Sequence, residues 1–208
     1  MTERPIYIFV CGISNWPGSN KGWTDQAVEW ANAQDLQCDK LEYFTTPVTR
    51  WMRQDGRIAD LITKIRKYRN HPIILVAHSN GCEVACHALL QSDVMGVKCH
   101  FISGACAADF NENGLNALLR TGKVSDVTVY RAGKDWAMFF AQVSRFLLKW
   151  AGLGYGTLGK HGPQNMATDV ASKVRVVYAA DYGHSTWFEP KHFDQTMRMV
   201  CGDLKPET

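Results

Sequence analysis

Short, almost unbroken apolar runs recur along the chain, separated by stretches in which apolar residues return every three or four positions. The first pattern predicts strands buried on both faces, and the second predicts amphipathic helices laid over them. The strand candidates are Ile6–Cys11 (IYIFVC), Cys38–Phe44, Pro72–Ala77 (PIILVA), Val97–Ser103 (VKCHFIS), Val127–Arg131 (VTVYR) and Val174–Ala179 (VRVVYA). The helical spacing covers Thr24–Ala33, with Thr24 as its N-cap and Ala27, Val28 and Ala31 turned inward. Ile58–Tyr68 places Ile58, Leu61, Ile62, Ile65 and Tyr68 on one stripe. Glu83–Leu90, Leu115–Leu119 and, after Pro190, His192–Val200 complete the helices. Strands alternating with helices predict an α/β fold, a three-layer α/β/α sandwich with about six mainly parallel strands.

One stretch stands apart. Trp136–Trp150 (WAMFFAQVSRFLLKW) has aromatic and aliphatic residues at helical spacing, and the glycine-rich AGLGYGTLGKHGP follows it. A covering helix and a long loop fit this pattern, and loops of that length are often functional. No internal repeat, low-complexity tract or linker divides the chain. Residues 1–208 therefore read as a single domain with a small cap or loop insertion at 136–168.

Composition narrows the classes. The chain has 208 residues, 46% hydrophobic and 21% charged, enough for one domain with a full core. A net charge of +3 gives no reason to expect nucleic acid, and the densest basic stretch, KIRKYRN at Lys64–Asn70, reads as the solvated face of a helix. MTERPIYIFV reads as a first strand rather than a signal peptide, and no segment has the length of a membrane span. Seven scattered cysteines without a visible export signal point to reduced thiols and a cytoplasmic protein. Cys82 and Cys86 lie one helical turn apart beside His87, but no second ligand cluster accompanies them, so they read as packing residues rather than metal ligands.

The candidate chemistry lies in HPIILVAHSNG, His71–Gly81, where an apolar strand runs into Ser79 and a helical pattern follows at once. A nucleophilic serine needs exposure, a base to take its proton, and donors for the oxyanion that forms on attack. A sharp strand-to-helix turn supplies the exposure, and its crowded backbone requires small residues two positions before and after the serine. Here these are Ala77 and Gly81, an A-x-S-x-G pattern. The competing reading is a serine that merely caps the following helix.

In this architecture an acid and a histidine follow the serine in that order, each on a loop after a later strand. Asp135 follows VTVYR within AGKDW, and His184 follows VRVVYA within ADYGHSTWF. Among the other histidines, His71, His78, His87, His100, His161 and His192, none sits just beyond the last strand in a glycine-flanked loop. His78, beside the serine, is expected to pack or bond locally. The acid stays open between Asp135, preferred because it follows the penultimate strand, and Asp109, which also follows a strand end; Asp181 lies near His184.

With A-H-S-N-G and the Asp and His loops in place, the chain resembles the α/β-hydrolase family in its serine-hydrolase branch. The resemblance spans nearly the whole chain in element order and implies strand order 2-1-3-4-5-6 in a minimal form of the fold. It also implies that the loop CGISNWPGSNKGWT, Cys11–Thr24, supplies one oxyanion donor. Cys11 stands where many members carry histidine. Gly12 matches, and Ile13 (or Ser14) gives one backbone N–H while Asn80, after the nucleophile, gives the other.

The expected activity is hydrolysis of small or medium acyl esters through an acyl-enzyme, needing neither metal nor organic cofactor. A thioesterase, an amidase or an acyltransferase fits the same residues, as does a non-catalytic member that only binds a ligand or partner. The sequence leaves the oligomeric state open.

Overall fold

The structure, a computed structural model, describes residues 3–12, 22–43, 54–135 and 156–202. Six strands form one all-parallel sheet in the order β2-β1-β3-β4-β5-β6. They are β1 (Ile6–Val10), β2 (Gln37–Leu41), β3 (Ile73–His78), β4 (Val97–Ile102), β5 (Val124–Ala132) and β6 (Val174–Ala179). Side chains alternate across each strand, so Ile6, Ile8 and Val10 of β1 enter one core layer while Tyr7 and Phe9 enter the other.

Helices α2 (Gln54–Lys67), α3 (Asn80–Gln91) and α4 (Leu115–Arg120) cover the first face with Leu61, Ile65, Ala85, Leu89 and Leu119. Helices α1 (Trp23–Ala33) and α6 (Pro190–Cys201) cover the second with Trp23, Ala27, Met197 and Val200. The result is the three-layer α/β/α arrangement with the strand order that the resemblance implies. The short helix α5 (Leu158–His161) runs over the end of β4, its segment tied by Gly156 N–H to Ala105 O at 2.9 Å and Gly159 N–H to Gly104 O at 2.9 Å. Most of the expected insertion, including the helix at Trp136–Trp150, lies outside the described residues.

Three local expectations are corrected. Thr24 does not cap α1: Gly22 occupies that position at φ 76°, and the Thr24 hydroxyl instead donates to the Glu42 carboxylate across the loop from β2. A tertiary partner has taken the side chain that local capping would use. The apolar run VRVVYA is not buried on both faces, because β6 is the edge of the sheet and leaves Val176 44% and Tyr178 59% exposed. Finally, α3 begins at Asn80, directly after Ser79, rather than at Glu83.

The basic stretch on α2 is paired with acids: Lys64 Nζ lies 2.9 Å from Asp39 and Arg66 Nε 2.8 Å from Asp93. Among the described residues no helix is long and apolar enough to cross a membrane.

Candidate active site

β3 delivers the chain to Ser79, which adopts φ 54° and ψ −124°. For a residue with a side chain such a conformation costs about 1–3 kcal/mol and persists only where the surroundings enforce it. They do so through the backbone. Ser79 N–H donates to Ile102 O at 3.0 Å, and Ser79 O accepts from Cys82 N–H at 3.1 Å and Ala105 N–H at 3.0 Å. Space is as tightly specified. A Cβ at Gly81 would lie 2.6 Å from Cys11 O, and one at Gly12 would lie 2.7 Å from Ser79 Cβ. Ala77, fully buried, is accommodated with its methyl group.

Two more loops meet this turn at the same end of the sheet. After β5, Gly133 N–H donates to Ala179 O at 2.9 Å and Lys134 N–H to Tyr182 O at 2.9 Å, which binds the loop of Asp135 to the loop of His184. A Cβ at Gly133 would sit 2.2 Å from Ala180 O, so only glycine lets the loops run this close. The loop after β6 is anchored by Trp187 and Phe188, both buried in the second core layer.

These placements bring three side chains into line. His184 Nδ1 lies 2.8 Å from Asp135 Oδ2, and His184 Nε2 lies 2.9 Å from Ser79 Oγ. With Nδ1–H donated to the carboxylate, Nε2 is left to accept the serine hydroxyl proton. The Asp135 carboxylate is wholly buried while the imidazole is 17% exposed, so the charge sits inside and the base faces outward.

The alternative acids are engaged elsewhere. Asp109 Oδ1 accepts the Asn111 N–H at 2.7 Å and Oδ2 accepts from Asn165 Nδ2 at 2.6 Å. The Asn165 amide and the Asn111 N–H hold its carboxyl below the usual range. Asp181 forms a surface pair with Lys134 at 2.7 Å. Among the described residues, the bonds of these two acids go to Asn111, Glu112, Asn165 and Lys134.

Asn80, the first residue of α3, carries one of the N–H groups that no intrahelical carbonyl can satisfy. Its Nδ2 donates to the Tyr43 hydroxyl at 3.4 Å, and its Oδ1 is buried without a hydrogen-bond partner among the described residues. Ile13 and Ser14 lie outside the described residues. Cys11 is buried and its thiol is pushed up to about 11, chiefly by desolvation. It accepts the Tyr43 N–H at 3.4 Å and so ties the end of β1 to the segment after β2.

His78 has a larger part than a local contact. Its Nε2 lies 3.2 Å from His184 O, a bond across 106 residues of chain. Burial first, and the neighbouring His184 second, push its pKa down to about 3, so the ring is neutral. The sequence held one signal for it, a polar aromatic residue ending a buried strand where another aliphatic would be expected. Cys82 and Cys86 are packed in the core of α3, and among the described residues no group of three or more histidine, cysteine or acidic side chains is placed to hold a metal.

No family model matches the chain, and no curated protein does. Solved structures do match. A protein from Xanthomonas campestris pv. campestris, provisionally assigned as a hydrolase of the alpha/beta superfamily, aligns over 96% of this chain and 97% of its own at 15% identity, with a TM-score of 0.54. An alpha-beta serine hydrolase homologue from Coxiella burnetii covers 99% of this chain and 88% of its own at 13% identity, with a TM-score of 0.56. An aryl esterase candidate from Burkholderia cenocepacia covers 96% and 92% at 14% identity, with a TM-score of 0.56. At such identities the likeness is one of fold.

Proposed function

We propose that this chain, which has the α/β-hydrolase fold, is a serine hydrolase of small or medium acyl esters, with Ser79 as nucleophile, His184 as base and Asp135 as the acid that orients it. The observation that carries this reading is the unbroken line from Ser79 Oγ through the His184 ring to a buried carboxylate. A serine that only capped a helix would need no imidazole at 2.9 Å, and no side-chain cap bond is formed by Ser79.

The chemistry follows from the geometry. His184 Nε2 takes the Ser79 proton as Oγ attacks the ester carbonyl, and Asp135 stabilises the imidazolium through the Nδ1–H bond. The N–H of Asn80 faces the negative charge that develops on the carbonyl oxygen, aided by the positive end of α3. On this reading the second donor is the backbone N–H of Ile13, or of Ser14, just after Gly12. His184 then returns its proton to the leaving alcohol, activates a water, and the acid is released from Ser79.

The test is hydrolysis of p-nitrophenyl esters of increasing chain length by the wild type and Ser79→Ala, with fluorophosphonate labelling of both. Turnover and labelling by the wild type, both lost in the variant, are the expected result. Turnover of acyl thioesters or anilides but not esters moves the proposal to a thioesterase or amidase. A wild type that neither turns over any of these nor labels overturns the enzyme reading and leaves a ligand-binding protein.

A further inference from the structure

The loop that carries His184 reaches Ser79 from the edge strand β6, and its reach must be fixed to well within about 1 Å for the 2.9 Å contact to hold. Part of that fixing is local: Gly183 N–H donates to Thr186 Oγ1 at 3.0 Å, and Trp187 and Phe188 are buried. The backbone of His184 itself, however, is held by a side chain from another element. That side chain is His78, the residue directly before the nucleophile.

We propose that His78 is a positioning residue for His184, setting where the imidazole stands relative to Ser79 by donating Nε2–H to the His184 carbonyl. Three observations support it. A carbonyl can only accept, so the 3.2 Å contact requires the proton on Nε2. The ring is clamped in that orientation, edge-on to Phe188 at 5.0 Å and to Trp23 at 6.1 Å, while Trp23 and Phe188 stack on each other at 4.2 Å. Gly12 brings the backbone up to its other nitrogen, where a Cβ would lie 3.4 Å from Nδ1.

The consequence is a common reference for two groups on opposite elements. Ser79 and His78 are consecutive, so any movement of the turn carries His78, and with it the His184 backbone, in the same sense. The ring is 4.9 Å from that of His184, yet burial keeps it neutral and it does not oppose the positive charge that forms there during turnover. A buried apolar residue at 78 would fill the space without supplying the bond. The kinetic part of this inference rests on the hydrolase reading; the positional part does not.

The experiment compares the wild type with His78→Gln, whose terminal amide reaches toward the Nε2 position, and His78→Met, of similar length but with no donor. His78→Phe is added as a ring without a donor. Two readouts are taken on each folded protein. The first is the low-field proton resonance of the His184 Nδ1–H bonded to Asp135, measured in the resting protein without substrate. The second is kcat and KM for a p-nitrophenyl ester.

The expected result is that Met and Phe broaden or lose the low-field resonance and lower kcat by about 10²-fold with KM within about twofold, while Gln restores both. If Gln and Met behave alike, His78 acts only by packing and the proposal falls. The same holds if Met keeps the resonance and kcat of the wild type. Should Phe fail to fold, the Gln and Met pair decides alone. A wild type without turnover overturns the hydrolase reading, and the resonance still tests the positioning.

Discussion

On one face of the sheet α2, α3 and α4 bury Leu61, Ile65, Ala85 and Leu89 against Ile8, Leu75 and Val127. On the other, α1, α6 and the loop after β6 bury Trp23, Trp187 and Phe188 against Tyr7, Phe9 and Tyr130. The first layer is mainly aliphatic and sulfur-bearing, with Phe101 and Phe110 among its few rings, and α3 within it holds the turn of Ser79. The second is aromatic and polar. It contains His78 and His100, and Trp23 Nε1, Trp187 Nε1, His100 Nε2 and Thr196 Oγ1 are buried there without hydrogen-bond partners among the described residues. Close aliphatic packing holds a strained turn by leaving no space for it to relax. Aromatic plates and single hydrogen bonds instead fix direction, which is what a base on a long loop requires.

This contrast can be broken in several ways, beginning with the acid on the loop after β5. Asp135→Asn should lower kcat by about 10⁴-fold, whereas Asp109→Asn should leave it within about twofold. Equal losses in steady-state assays would put the acid on the wrong loop.

The next test sets one layer against the other. Leu75→Ala should cost about 2–5 kcal/mol and Trp187→Ala about 3–5 kcal/mol in urea unfolding. Turnover per folded molecule should survive the first and fall at least tenfold in the second, because Trp187, unlike Leu75, anchors the His184 loop. If both variants lose activity in parallel with stability, the two layers do not divide the work as described.

Acid should find the aromatic layer first. Burial holds both His78 and His100 down to about 3, whereas an unfolded histidine titrates near its ordinary value of about 6.5. Between those values the unfolded chain binds more protons than the folded one, so stability falls as pH drops from about 6.5 toward 3 and is unaffected by these groups above that window. Urea midpoints measured from pH 7 to pH 4 should fall accordingly, and the slope should lessen in His100→Gln if that variant folds. A flat profile in the wild type would mean that neither ring is held neutral.

The smallest effect belongs to the surface beside the aliphatic layer. Arg120 pairs with Asp169 through two bonds, at 2.7 and 2.9 Å, but both side chains are more than half exposed. Arg120→Ala should cost no more than about 1 kcal/mol in the same unfolding assay. A larger loss would show that α4 and the turn before β6 depend on this pair.

Much of this molecule is written locally. The apolar runs place most of the six strands, the spacing of Ile58, Leu61 and Ile65 places α2, and the small residues Ala77 and Gly81 mark a tight turn at Ser79. Each follows from contacts within a few residues, where periodicity and the size of a side chain suffice. The chain order of Ser79, Asp135 and His184 is legible for the same reason, since each lies just beyond a strand.

What tertiary structure alone decided are the choices among local equivalents. Asp109 and Asp135 both follow strands, and the difference is that Gly133 lets the Asp135 loop lie against Ala180 while Asp109 turns back onto Asn111 and Asn165. The hydroxyl of Thr24 goes to Glu42 rather than to its own helix, and VRVVYA becomes a half-exposed edge because no seventh strand pairs with it among the described residues. The bond from His78 to the His184 carbonyl joins residues 106 positions apart. Chain closure over such distances depends on how the whole sheet twists and stacks, and no window of sequence contains it. Local pattern thus set the elements and the chemistry each could present, and packing set which of those groups touch.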